Sequence, residues 1–150
     1  MPVDERRESW KPGEPWEGAL DEIAYIKELA RELGGPERIK RQHDGGRLTI
    51  RERIDALVDS ESFIEAGPLV GAADYDGDGN LRAFTPGAYV MGMAEIDGRP
   101  VAVGGEDFTI SGGSPHNVHK GPRQFTQPLS LEFGLPYIQL VEGVGHSTKR

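Results

Sequence analysis

The 150-residue chain has no cysteine. That excludes a disulfide framework, a thiol nucleophile and a thiolate-held metal. No apolar run approaches the ~20 residues a membrane-spanning helix needs, and the first 16 residues carry too much charge for a secretory leader. The expected setting is therefore cytoplasmic, with no membrane partner. Basic residues are in the minority, 17 against 25 acidic, for a formal net charge of −8. Binding nucleic acid broadly needs a basic face, so no nucleic-acid partner is expected.

What is plentiful is glycine and proline, 21 and 11 residues, alongside 36% hydrophobic residues. A chain of this length buries roughly 68–70% of its unfolded surface, enough for a core. Charge is uneven: residues 1–60 hold 14 acidic and 11 basic side chains, residues 101–150 only four of each. This predicts a flexible or loosely docked arm over 1–16, a solvated helical segment over 17–60, and buried strands and tight turns over 61–150.

Leu20, Ile23, Ala24, Ile26, Leu29, Ala30 and Leu33 keep helical spacing. Gly34-Gly35-Pro36 should end that helix, a C′ glycine followed by proline. A basic stretch, 37–44, follows. Thr49 with Glu52 three residues later is a capping box, and Ile50, Ile54, Leu57 and Val58 form the buried stripe of a second helix. Residues 62–66 read as a short strand and 67–87 as loop. Asp97-Gly98 between 89–96 and 100–103 is a hairpin signal, with 107–110 expected to continue its second arm. Residues 115–133, with Pro115, Pro122 and Pro128, read as helix in pieces, and 135–141 as a buried strand.

Several motifs bear on chemistry. Asp74, Asp76 and Asp78 with Gly79 follow the opening of a calcium loop, but the twelfth position is Thr85 rather than a bidentate Glu. An acidic surface turn is the better reading. His116 and His119, with His146, have the residue type for zinc but nothing that makes them converge, so no metal is expected. Ser130 and Ser147 stand in no G-x-S-x-G elbow. Gly112-Gly113-Ser114 follows a strand, where backbone N–H groups can hold an anion. Gly143-Val144-Gly145 also follows a strand and could orient a polarised carbonyl. Each of these two turns, taken alone, is better read as a plain glycine turn.

Three stretches, in order, resemble one family. Residues 46–59, GRLTIRERIDALVD, with 62–67, SFIEAG, are similar to the opening of biotin-dependent acyl-CoA carboxyltransferases, the β subunits of propionyl-, acetyl- and methylcrotonyl-CoA carboxylases. Residues 97–103, DGRPVAV, with 106–114, EDFTISGGS, resemble a second signature, and 133–140, FGLPYIQL, the strand leading to the acyl-CoA pocket. The resemblance implies an α/β, crotonase-like ββα spiral, incomplete here and preceded by helices. It implies transfer of CO₂ from carboxybiotin to the α-carbon of an acyl-CoA through an enolate. Backbone N–H groups would hold the oxyanion, and biotin would take the α-proton. Biotin would ride on a partner protein, and coenzyme A would be part of the substrate. Gly112, Gly113 and Ser114 become CoA neighbours, Lys120 a partner for a CoA phosphate, and Gly143, Val144 and Gly145 an oxyanion or pocket loop. Where the family reads DSGGAR, this chain reads VEGVGH over 141–146. The family's second, biotin-binding half is not in the sequence. The expected partners are therefore a complementary carboxyltransferase chain, or a biotin carboxylase or biotin carrier subunit, in an oligomer. A non-catalytic assembly or regulatory subunit that kept the front of the fold is the alternative.

Overall fold

The computed structural model describes residues 10–114 and 121–144. Helix α1 (Trp16–Arg31) carries the predicted apolar stripe and buries Leu29 and Ala30. Just ahead of it, the Trp10 ring stacks on Trp16 at 5.6 Å between centroids, and the Trp10 N–H donates to the Glu22 carboxylate at 2.8 Å. The end of the expected arm is thus laid against the helix. The helix does not stop at a C′ glycine as expected. Leu33, at φ 52°, takes the left-handed turn itself, with its side chain buried. Gly34 is required for another reason: a Cβ there would stand 2.2 Å from the Thr109 carbonyl oxygen. The basic stretch after it is helix α2 (Pro36–Asp44), with proline at its start.

Helix α3 (Ile50–Leu57) opens on the predicted capping box. Glu52 N–H donates to Thr49 Oγ1, and the Thr49 N–H donates to the Glu52 carboxylate at 2.7 Å. Ile50 and Ile54 point inward, each 1% exposed. Arg51 grips Glu65 with two nitrogens at 2.9 Å, tying α3 to strand β1 (Ile64–Glu65).

The stretch 67–87 is not loop. It forms a two-stranded antiparallel hairpin, β2 (Gly71–Tyr75) and β3 (Leu81–Pro86). Its apolar residues alternate weakly and its turn is acidic, which masked the strand pattern. Phe84 and Leu81 pack beneath Leu29 and Ala30 of α1, so the hairpin is stabilised by a helix some 50 residues earlier.

Strands β4 (Tyr89–Ile96) and β5 (Arg99–Glu106) pair across the Asp97-Gly98 turn as predicted. Strand β5 ends at Glu106; residues 107–110 turn away instead of continuing it, because the Asp107 carboxylate takes up the Thr109 N–H. A 3-10 turn (Ser111–Gly113) comes next. Helix α4 (Gly121–Phe133) keeps Pro128 inside it. It closes through Gly134 at φ 63°, with Leu135 N–H donating to Ser130 O and Gly134 N–H to Leu131 O, a Schellman end. Strand β6 (Tyr137–Leu140) then pairs parallel to β5. The sheet order is β1-β4-β5-β6. Strand β6 is half-buried rather than fully buried as expected. The core lies between the sheet and α3, around Val90, Ala94, Val101 and Val103.

Candidate functional site

Because β5 and β6 are parallel, their carboxyl ends lie on one edge of the sheet. The chain leaves both strands there, into residues 107–114 and 141–144. That edge is where α/β sheets bind ligands. The two turns singled out separately in the sequence meet on it. The Val144 N–H donates to the Gly112 carbonyl at 3.0 Å. A Cβ on Gly113 would stand 2.4 Å from the Glu142 carbonyl, and one on Gly112 2.8 Å from Val144 Cγ2. Both glycines have positive φ. Small residues are needed here for contact as well as for conformation. Val144's N–H is engaged by Gly112, so its role in this geometry is to join the two turns. Ser114 is buried behind them.

Carboxylates hold the turns in place. Glu106, buried at the end of β5, accepts from Gln139 Nε2 at 3.3 Å and from the Glu142 N–H at 3.2 Å. Glu142 in turn accepts from Gln42 Nε2 at 2.8 Å and Arg53 Nη1 at 3.4 Å, with Arg47 at 3.7 Å. The helices α2 and α3 are thereby fastened to the second turn. Thr109 fastens the first. Its hydroxyl donates to Asp107 Oδ1 at 2.6 Å and accepts from the Gly34 N–H at 2.8 Å. Asp107 is fully buried, and burial pushes its carboxyl above the usual range, opposed by the Thr109 bonds and by Arg51. Its Oδ2 and the Arg51 Nε are both buried without a hydrogen-bond partner among the described residues. Deeper along β4, burial raises the Tyr89 hydroxyl, which meets the Tyr137 hydroxyl at 3.1 Å.

Of the predicted site residues, Gly112, Gly113, Ser114, Gly143 and Val144 come together. Lys120 and Gly145 lie outside the described residues, as do His116, His119 and His146. The candidate calcium turn uses its carboxylate internally: Asp76 Oδ1 accepts from the Asp78 and Asn80 N–H groups at 2.9 and 2.8 Å. No group of three metal-ligating side chains exists among the described residues. No described helix is long and apolar enough to cross a membrane. The sequence reading missed a cavity of about 250 Å³ beside Gly112, lined by Arg38, Arg41 and Arg47 with Phe108. Its signal was the i,i+3 pair of arginines in the basic stretch, which becomes visible once 36–44 is read as a helix.

Comparison with known proteins identifies the family and the fold. A family model described as the carboxyl transferase domain matches residues 41–150. The carboxyltransferase subunit of propionyl-CoA carboxylase from Haloferax mediterranei is 35% identical over 130 residues, covering 86% of this chain and 25% of that protein. The α subunit of methylmalonyl-CoA decarboxylase from Veillonella parvula is 31% identical over 75% of this chain and 22% of its own length. Among solved structures, transcarboxylase 12S with methylmalonyl-coenzyme A and methylmalonic acid bound superposes with a TM-score of 0.74 at 30% identity, over 92% of this chain and 27% of that one. The β subunit of geranyl-CoA carboxylase from P. aeruginosa, at 22% identity and a TM-score of 0.67, shares the fold. The expected crotonase-like α/β class therefore holds, with β4, β5 and α4 as one ββα unit and β6 opening the next. The chain spans about a quarter of the length of these relatives, and it belongs to the carboxyl transferase domain family.

Proposed function

We propose that this chain supplies part of the acyl-CoA site of a biotin-dependent carboxyltransferase, in which CO₂ passes from carboxybiotin to the α-carbon of an acyl-CoA. The observation that carries the reading is the meeting of the 111–114 and 141–144 turns at the carboxyl edge of β5 and β6, joined by the Val144–Gly112 bond. Backbone donors at such an edge can hold a thioester oxygen as charge develops on it, a form of stabilisation that needs no side-chain nucleophile. Gly112, Gly113 and Ser114 would flank the coenzyme A arm, and Gly143, Val144 and Gly145 the acyl pocket. Biotin, carried by a partner protein, would supply the carboxyl group. The rest of the acceptor site and the biotin site would come from further carboxyltransferase polypeptide or another chain in the oligomer. In this reading residues 17–60 brace the site and 61–150 form the partial acyl-CoA domain.

The test is to combine the chain with complementary carboxyltransferase, biotin carboxylase and biotin carrier subunits, labelled bicarbonate, ATP and short acyl-CoAs. Labelled carboxyacyl-CoA is the expected product. If no combination binds coenzyme A, the substrate reading fails.

A further inference from the structure

Helix α2 places Arg38 and Arg41 one turn apart on one face, and the chain turns back through Gly45 and Gly46 to bring Arg47 alongside. Opposite them stand Phe108, Thr109, Ser111 and Gly112 of the first site turn. Arg38, Arg41 and Arg47 line the cavity between and no acidic residue does, in a chain whose net charge is −8. A local concentration of positive charge on an acidic chain draws an anion.

The existing partners do not neutralise it. Arg47 lies 4.7 Å over the Phe108 ring and 3.7 Å from Glu142, but that single carboxylate also serves Arg53. Among the described residues, Arg38 Nη1 reaches a backbone carbonyl, Thr109 O, at 3.4 Å, and no carboxylate. The Arg41 guanidinium has no ion-pair partner among the described residues. Asp44 and Glu52 are engaged elsewhere, with Lys40 at 2.6 Å and His43 at 2.9 Å, and Glu37 of α2 makes no ion pair within 4 Å among the described residues. The planar forks of arginine match phosphate oxygens in pairs. At about 250 Å³ the cavity falls below the ~300–1,000 Å³ of drug-sized ligand pockets. It suits a phosphate or diphosphate group whose remainder extends out over Gly112.

We propose that Arg38, Arg41 and Arg47 form a phosphate-binding site, and that it takes the phosphate groups of the coenzyme A portion of the substrate. The second half of this statement rests on the acyl-CoA reading above; the first does not. Adjacency to Gly112 gives the connection. A ligand anchored by its phosphates in the basin passes the first turn before reaching the Gly112–Val144 junction.

The experiment is calorimetric titration of the full chain with inorganic pyrophosphate, coenzyme A and pantetheine at low salt. Arg41→Gln is the test variant, because its side chain is exposed and has no ion pair among the described residues. Arg82→Gln, on the distant β3 hairpin, controls for loss of one charge. Pyrophosphate and coenzyme A should each bind about tenfold more weakly to R41Q and unchanged to R82Q, while pantetheine should not distinguish the proteins. Coenzyme A binding that ignores R41Q overturns the basin and leaves the acyl-CoA reading standing. Pyrophosphate binding that falls in R41Q, with no binding of coenzyme A or pantetheine, keeps the basin and overturns its assignment to coenzyme A. If pyrophosphate does not bind, or falls equally in R82Q, the phosphate site is wrong.

Discussion

The described residues contain two antiparallel hairpins, and they differ in almost every physical respect. Strands β4 and β5 are eight residues each, lie inside a four-stranded sheet and bury nearly every side chain of their central stretch. Strands β2 and β3 are five and six residues, form a sheet by themselves and leave β2 largely exposed. Their turns show the same contrast. In β2–β3 the carboxylate that gathers the turn N–H groups is the hairpin's own Asp76. In β4–β5 it is Asp59, from the end of α3, whose two oxygens accept from the Asp97 and Gly98 N–H groups at 3.0 and 2.8 Å. One turn closes a local unit. The other locks a helix to the sheet that carries the site. The central hairpin should therefore unfold with the whole domain, and the outer one as a unit of its own, since exposed elements with little burial open first.

The largest expected effect comes from adding one methyl group to each. A Cβ on Gly105 of β5 would stand 2.4 Å from Ile50 Cδ1 and 2.5 Å from the Leu140 carbonyl, and one on Gly71 of β2 would meet Phe84 Cζ at 2.4 Å and the Thr85 carbonyl at 2.5 Å. The collisions are alike; the settings are not. Gly105→Ala should cost about 3 kcal/mol in urea unfolding, the upper part of the range for overpacking, because β6 and α3 must both move. Gly71→Ala should cost under about half of that globally, with amide protection lost across β2 and β3 alone. Equal global losses would break the comparison.

A smaller effect separates the turns. Asp59→Ala removes two charge-assisted bonds to backbone and should cost about 1–2 kcal/mol, with faster exchange in α3 as well as in the turn. Asp76→Ala should speed exchange at the 76–80 turn and leave α3 untouched. Faster α3 exchange in both variants would show that the outer turn is not independent.

The smallest effect is pH-dependent and sits at the foot of the site. Burial raises the Asp107 carboxyl. A carboxyl raised in the folded state contributes stability that is full below its unfolded value, ~3.9, and is lost as pH rises through the folded value. Asp107→Asn keeps an oxygen acceptor for Thr109 and has no such loss. The stability of the variant relative to the wild-type chain should therefore improve as pH is raised from 4 to 7. A difference that stays flat would mean Asp107 ionises without penalty.

Local patterns carried the legible parts of this protein. The Thr49–Glu52 box, the apolar stripe of α1 and the Asp97-Gly98 turn are each set within a few residues, by hydrogen bonds and periodicity that need no distant partner. The family signatures were readable too, since they are runs of residues. What stayed hidden depends on distant packing. Residues 71–86 read as loop because Leu81 and Phe84 are buried by packing against the distant helix α1. Leu33 adopts φ 52° because its buried side chain outweighs the ~1–2 kcal/mol cost of a left-handed turn, while the neighbouring glycine answers to Thr109, 75 residues away.

The candidate site divides the same way. The sequence by itself determined which turns are made of glycine and that each follows a strand. Only the tertiary structure decided that they touch. The parallel pairing of β5 with β6 brings both carboxyl ends to one edge, and the Val144–Gly112 bond then joins turns some 30 residues apart. The arginine basin is a stronger case: α2, the glycine turn after it and the loop beyond β5 must all be in place before Arg38, Arg41 and Arg47 share one cavity with Gly112. Spacing along the chain records which residues one element can present; convergence between elements is a property of packing.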